Sequence, residues 1–360
     1  MTRLLLFFSL FGAWSAQAVT QLGQINGAEF RIDLPDKWEG AGLVVYCHGY
    51  SPGQVNFESP AVNSLVKVFA ARGFAVAQSA YATTGWAIRD AMEDTQELLR
   101  YFVKKYGAPK ETYVTGHSMG GFLTMAMLEQ HPEEFDGGLA MCGPLAASSW
   151  FMARRVFDLR VVFDYYFQGA LPSPVKVPED FGLGEALNQK IQTLLDAKPK
   201  EAEALLHYSG IHSNHEYAGT IVFFTYILKD LQQRSGGNPF DNRNVLYQGT
   251  PDDRALNDGV KRYAADPRAA QYLRTYYTPT GRLSRPMLAI HTTYDPLVPA
   301  WIPNMYENLA EQAGAAGLFV QQYVKHDGHC AITPEEIGQG FQELRDWRFK
   351  GTRPEGGALK

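Results

Sequence analysis

Tyr113-Val-Thr-Gly-His-Ser-Met-Gly-Gly-Phe-Leu123 is the stretch that decides the fold. Its centre, Gly116-His117-Ser118-Met119-Gly120, is a G-x-S-x-G pattern with a β-rich run before it and a helical run after it. That strand–turn–helix context is what a nucleophile elbow needs, because the serine must sit on a sharp turn for its hydroxyl to project above a sheet. Glycines two before and two after the serine let the strand and helix backbones approach closely. Met119 then opens a helix, and its free N–H is placed to face a developing oxyanion.

A serine hydroxyl needs a base, and the base needs an orienting acid. Working outward from Ser118, the acid comes next in the chain order Ser, Asp, His. Pro286-Met-Leu-Ala-Ile-His-Thr-Thr-Tyr-Asp295-Pro reads as a buried strand that ends at Asp295. Its bland reading is an Asp that only forms the turn before Pro. Leu318-Phe-Val-Gln-Gln-Tyr-Val324 is the last strand signal, and Lys325-His-Asp-Gly-His-Cys330 is the loop after it. His329 is the candidate base, with His326 read as a solvated loop residue. Asp327 ranks second to Asp295, because it lies only two residues from His329. Upstream, Leu43-Val-Val-Tyr-Cys-His-Gly-Tyr50 is a buried strand ending in His-Gly. The N–H of Tyr50, or next that of Ser51, is the expected second oxyanion donor beside Met119. His48 is read as holding this loop's shape.

On these residues the chain resembles the α/β-hydrolases. It is similar to secreted bacterial esterases of the feruloyl and acetyl-xylan esterase kind and to the catalytic domain of prolyl-oligopeptidase-like hydrolases. The resemblance covers roughly residues 40–145 and 285–350. It implies a mostly parallel central sheet with helices on both faces, and a hydrolase with a Ser118–His329–Asp295 triad. It specifies no substrate.

Other segments bound the reading. Residues 1–18 show a short positive start at Arg3, an apolar run and Ala16-Gln-Ala18, the signature of a cleaved signal peptide and hence of export. Losing them takes the net charge from −5 to −6, since Arg3 is their only charge. A mildly acidic chain has no electrostatic footprint for nucleic acid. No Gly-rich phosphate loop is present, so no nucleotide cofactor is implied. His212, His215 and Glu216 cluster without H-E-x-x-H spacing, and no metal is expected there. The remaining partners are a small-molecule or polysaccharide-linked ester, with no stable membrane insertion. Nothing in the chain sets an oligomeric state.

Cys47, Cys142 and Cys330 allow one disulfide and a leftover thiol, or three buried thiols. A Cys142–Cys330 bridge would pin the His329 loop.

The hydrolase core is expected over 19–144 and 285–352, with a flexible tail over 353–360. Asn26-Gly27 marks the turn of an opening hairpin. Residues 145–284 interrupt the strand–helix alternation and carry helical signals over 150–167, 184–197, 200–208, 217–234 and 260–272. They read as a helical cap. Tyr50, His117, Trp86 and Trp150 are the candidate substrate-contacting side chains, and core packing is the competing reading for both tryptophans. Phe151, Tyr165, Tyr166 and Phe167 are further candidates for an aromatic wall. A carboxylic ester is the expected substrate. A prolyl-oligopeptidase-like peptidase and a non-catalytic binding protein on the same scaffold are the alternatives.

Overall fold

The computed structural model describes residues 19–36, 38–57 and 64–358. The 1–18 leader expected from the sequence lies outside them.

Alternate residues of a strand face opposite sides of a sheet. Here both faces are apolar. Val45, Cys47, Ala75, Ala77, Val114 and Ala140 face one core, while Val44, Tyr46, Val76, Tyr113, Leu139 and Met141 face the other. A sheet buried on both faces needs helices on both, and the connections supply them. The strands are β1 Val19–Ile25, β2 Ala28–Leu34, β3 Leu43–Cys47, β4 Ala75–Ser79, β5 Thr112–His117, β6 Gly137–Met141, β7 Met287–Tyr294, β8 Phe319–Asp327 and β9 Gly357–Ala358. They form one sheet in the order β1-β2-β4-β3-β5-β6-β7-β8-β9. β1 and β2 form the antiparallel hairpin, with Asn26 and Gly27 both at positive φ, and β2 is antiparallel to β4. All remaining pairs are parallel.

The core helices are α1 Ser64–Ala70, α2 Ile88–Tyr106 and α3 Met119–Gln130. Between β6 and β7 the chain forms α4 Ser148–Phe151, a π-helical turn over Met152–Phe157, α5 Asp158–Tyr166, α6 Glu185–Asp196, α7 Pro199–Ser209, α8 Asn214–Ser235, α9 Asp253–Gly259 and α10 Pro267–Thr275. α11 Trp301–Gln312 and α12 Pro334–Lys350 complete the set. Residues of α1 and α12 fill one core, and residues of α2, α3 and the β6–β7 insertion fill the other.

Two expectations are corrected. The helix read over 260–272 begins only at Pro267 and runs to Thr275: residues 260–266 are not helical, and Asp266-Pro267 starts α10, the Asp266 carboxylate accepting from the Arg268 N–H. The tail read as flexible is docked as far as Ala358. Gly357 pairs with Gln322 of β8, Arg353 donates to the Phe319 carbonyl at 2.9 Å, and Gln322 donates to the Glu355 carbonyl at 3.0 Å.

β3 lies between β4 and β5, so the chain reverses direction across the sheet there. Loops leaving the carboxyl ends of strands diverge at such a point and open a crevice. The loops after β3 and β5 carry Tyr50 and Ser118. The second loop turns at Ser118 itself, with φ 56° and ψ −120°. Its sharpness needs two missing side chains: a Cβ on Gly116 or Gly120 would lie 2.3 or 2.0 Å from the Cys47 carbonyl oxygen. Gly120→Ala is therefore expected to force β3 and α3 apart and to destabilise the fold by about 2–3 kcal/mol, read as a lowered urea midpoint.

Candidate active site

Three strand ends bring the sequence-predicted residues together. Ser118 follows β5, Asp295 follows β7 and His329 follows β8. His329 Nε2 lies 2.9 Å from Ser118 Oγ, and His329 Nδ1 lies 2.6 Å from Asp295 Oδ2. Asp295 Oδ1 accepts from the N–H groups of Leu297 at 2.8 Å and Val298 at 2.9 Å. The carboxylate is fully buried, and burial alone would push it toward its neutral form. The His329 hydrogen bond and charge, with the Val298 N–H, outweigh that and hold it below the ordinary carboxylate value. A hydroxyl in such a chain can pass its proton to the imidazole as it attacks.

The His329 loop is held from two sides. The Gly328 N–H donates to the Tyr294 carbonyl at 2.9 Å, and Thr292 Oγ1 donates to the Gly328 carbonyl at 3.0 Å. Cys142, just past β6, and Cys330 form a disulfide across 188 residues, with Cα atoms 5.3 Å apart. The same Cys142 Sγ lies 3.3 Å from the Ser118 N–H. Cys47 is a buried free thiol. His326 pairs with Glu336 at 2.9 Å, and Asp327 is exposed.

Met119 is the first residue of α3, and the first N–H groups of a helix have no acceptor within it. Tyr50 sits in the facing loop, which the Gly85 N–H fastens by donating to the Ser51 carbonyl at 2.7 Å. His48 stacks on Tyr81 with ring centroids 4.0 Å apart, and burial lowers its pKa.

His117 Nδ1 lies 2.5 Å from the Tyr46 hydroxyl, whose own pKa is pushed up by burial. Burial, with the charges of His329 and His48, lowers His117 to about 4, so its imidazole is neutral at pH 7.

A cavity of about 340 Å³ opens over Ser118 and His329. Tyr50, Trp86 and His117 line it, as do Phe151, Phe223 and Phe224. None of the described residues lining it is an Asp, Glu, Lys or Arg. Trp86 also belongs to the core: it is 4% exposed and its Nε1–H donates to Ser148 Oγ at 2.8 Å.

Trp150 is not brought to this cavity. It packs edge-on against Trp301, 5.9 Å between centroids, and lines a separate hollow with Leu145 and Met305. Of the other aromatic candidates Phe151 lines the cavity, while Tyr165, Tyr166 and Phe167 do not.

Phe223, Phe224 and Ile227 were missed from sequence because α8 is apolar on most sides. What aims them is a polar pair farther along the same helix stripe. Asp230 accepts from the Trp86 N–H at 2.7 Å, and Arg234 donates to Thr83 Oγ1 at 3.3 Å. The His212 cluster is engaged elsewhere: its ring stacks on Tyr294, His215 Nδ1 meets Gln192 at 3.1 Å, and Glu216 accepts from the Tyr294 hydroxyl.

The family model described as alpha/beta hydrolase fold matches residues 42–330. The chain belongs to the α/β-hydrolase fold family. The o-phthalyl amidase of Xanthobacter agilis is 21% identical to this hydrolase over 408 aligned residues, covering 92% of this chain and 88% of that protein. Among solved structures, the acylaminoacyl peptidase of Pyrococcus horikoshii superposes with a TM-score of 0.50 at 13% identity, covering 94% of this chain but 42% of its own. An esterase of Pyrococcus furiosus superposes with a TM-score of 0.49 at 13% identity, covering 94% of this chain and 95% of its own. This hydrolase therefore spans under half the length of the peptidase, and at 13% identity its likeness to that peptidase is one of fold.

Two outcomes follow from the site's construction. The Cys142→Ala/Cys330→Ala double variant should lose about 2–4 kcal/mol, measured by urea unfolding, because it frees a long loop of the unfolded chain. Acid should also destabilise the hydrolase through His117. The unfolded chain binds that proton near the ordinary value of 6.5 and the native state only near 4. Stability present above pH 6.5 is thus lost as pH falls toward 4, by on the order of 2 kcal/mol at pH 4.5. His117→Gln should flatten that part of the stability–pH curve.

Proposed function

We propose that this hydrolase is an exported serine esterase that cleaves carboxylic esters of neutral, largely apolar acyl groups. The observation that carries the reading is the unbroken hydrogen-bonded chain Ser118–His329–Asp295, opening into an aromatic cavity with no Asp, Glu, Lys or Arg among its described lining residues. Ser118 Oγ attacks the ester carbonyl and His329 Nε2 takes its proton. Asp295 fixes the imidazole with Nδ1–H toward itself and stabilises the imidazolium. The N–H groups of Met119 and Tyr50 receive the oxyanion. His329 returns the proton to the leaving alkoxide. Water, deprotonated by His329, then releases the acid from Ser118. The neutral His117 ring, held at Nδ1 by the Tyr46 hydroxyl, lines the cavity beside the acyl group.

The β6–β7 insertion serves as a cap, since Phe151, Phe223 and Phe224 come from it. Aromatic walls suit an aromatic acyl group, including a feruloyl or small acyl ester borne on a polysaccharide. The Cys142–Cys330 disulfide supports export, because such bonds persist in oxidising compartments.

A second reading is an amidase or peptidase, favoured by the relation to o-phthalyl amidase. The uncharged walls count against recognition of a free amino terminus, whose ammonium needs an acidic partner.

The test is hydrolysis of p-nitrophenyl acetate, butyrate, benzoate and hemisuccinate, and of a prolyl p-nitroanilide, each beside Ser118→Ala. The expected result is turnover of the three neutral esters, weak turnover of the hemisuccinate and none of the anilide. Ser118→Ala should lower ester kcat by about 10⁵-fold or more. Anilide turnover above ester turnover would move the assignment to the amidase reading. Ester turnover surviving in Ser118→Ala would end the proposal.

A further inference from the structure

Arg155 is an unusual group to find in the β6–β7 insertion. It sits on the π-helical turn and is 6% exposed. Among the described residues its guanidinium donates to no carboxylate. Nε donates to the Leu297 carbonyl at 3.2 Å, one terminal nitrogen donates to the Pro296 carbonyl, and the other to the Ser209 carbonyl at 2.7 Å. Its face lies 5.9 Å from the centre of the Phe224 ring, a wall of the cavity. A buried cation without a paired carboxylate is costly, so a fold that retains one gains geometry or field from it.

Those carbonyls have a specific place. Pro296 and Leu297 directly follow Asp295, and the Leu297 and Val298 N–H groups are the donors that hold Asp295 Oδ1. Arg155 therefore grips the turn from its carbonyl side while Asp295 closes it from its N–H side. The peptide groups between them are fixed at both ends. Asp295 in turn fixes His329, so the orientation of the imidazole depends on a residue from the insertion. The third bond, to Ser209 at the end of α7, ties the same guanidinium to the far side of the insertion.

Resting on the Ser118–His329–Asp295 reading above, we infer that Arg155 is a positioning residue: it locks the 295–298 turn that aims Asp295 at His329, and so couples packing of the β6–β7 insertion to the reactivity of Ser118. A single turn held by a bulky planar fork is a better lock than one held by an ammonium, because the guanidinium meets two neighbouring carbonyls at once. Arg155→Lys keeps the charge and loses the fork.

The experiment is a double-mutant cycle on a p-nitrophenyl ester, with Arg155→Gln and Arg155→Lys each made alone and in Asp295→Asn. Active-site titration and thermal midpoints normalise for folded protein. Arg155→Gln should lower kcat about 10- to 100-fold with KM within about twofold, since misplacement by about an ångström costs that much. Arg155→Lys should fall between it and the parent. In Asp295→Asn neither change should lower kcat more than about threefold, because the group being positioned is already gone. Equal losses in both backgrounds would overturn the inference, as would kcat unchanged from the parent in Arg155→Gln. If Arg155→Gln does not fold, the lysine variant runs the same cycle. Failure of both to fold would assign Arg155 to the fold alone, which also overturns it. A parent without esterase activity, or one whose activity survives Ser118→Ala, would instead sink the underlying triad reading.

Discussion

The Cys47 carbonyl leaves no room for a Cβ at Gly116 or Gly120, and the rest of the site depends on that lack of room. Close approach of β5 and α3 to the end of β3 forces the turn between β5 and α3 onto one residue, Ser118, which takes a left-handed backbone angle. A serine there has its side chain above the sheet and the first N–H groups of α3 beneath it. The glycines contribute no chemistry themselves. They permit a backbone geometry that a larger residue would prevent, and the hydroxyl is displayed as a result.

Everything else converges on that point from strand ends. Parallel strands send their carboxyl ends to the same edge, so residues after β3, β5, β7 and β8 meet although they are far apart in sequence. The disulfide between Cys142 and Cys330 then joins the strand beside the elbow to the loop carrying His329. The insertion closes the remaining side. Its α8 is pinned through Asp230 to the Trp86 N–H, and that contact turns Phe223 and Ile227 toward the cavity.

How much of this was legible in the chain differs by kind of signal. Ser118 was legible because its glycines, strand and helix are contiguous. Asp295 and His329 were legible because the first ends a strand signal and the second lies in the loop after the last one, and the structure places His329 between Ser118 and Asp295. The Asn26-Gly27 hairpin was local and therefore readable. Arg155 was not legible: its partners are backbone carbonyls 54 to 142 residues away, and carbonyls leave no mark in a sequence. Phe223 and Phe224 were hidden within an apolar helix whose periodicity does not say which side meets the cavity. Trp150 was misplaced for the converse reason, since an aromatic early in the insertion looks equally suited to the cavity or to Trp301. The tail was read as loose from its Pro and Gly content, whereas the free edge of β8 offers it backbone partners.

Ser118 is proposed to be a nucleophile activated by His329. The most direct measurement is peptide mapping by mass spectrometry after exposure of the folded protein to a fluorophosphonate probe. One adduct is expected, on the peptide containing Ser118, formed far more slowly in His329→Ala. An adduct elsewhere, or none on a folded protein that admits the probe, would contradict it.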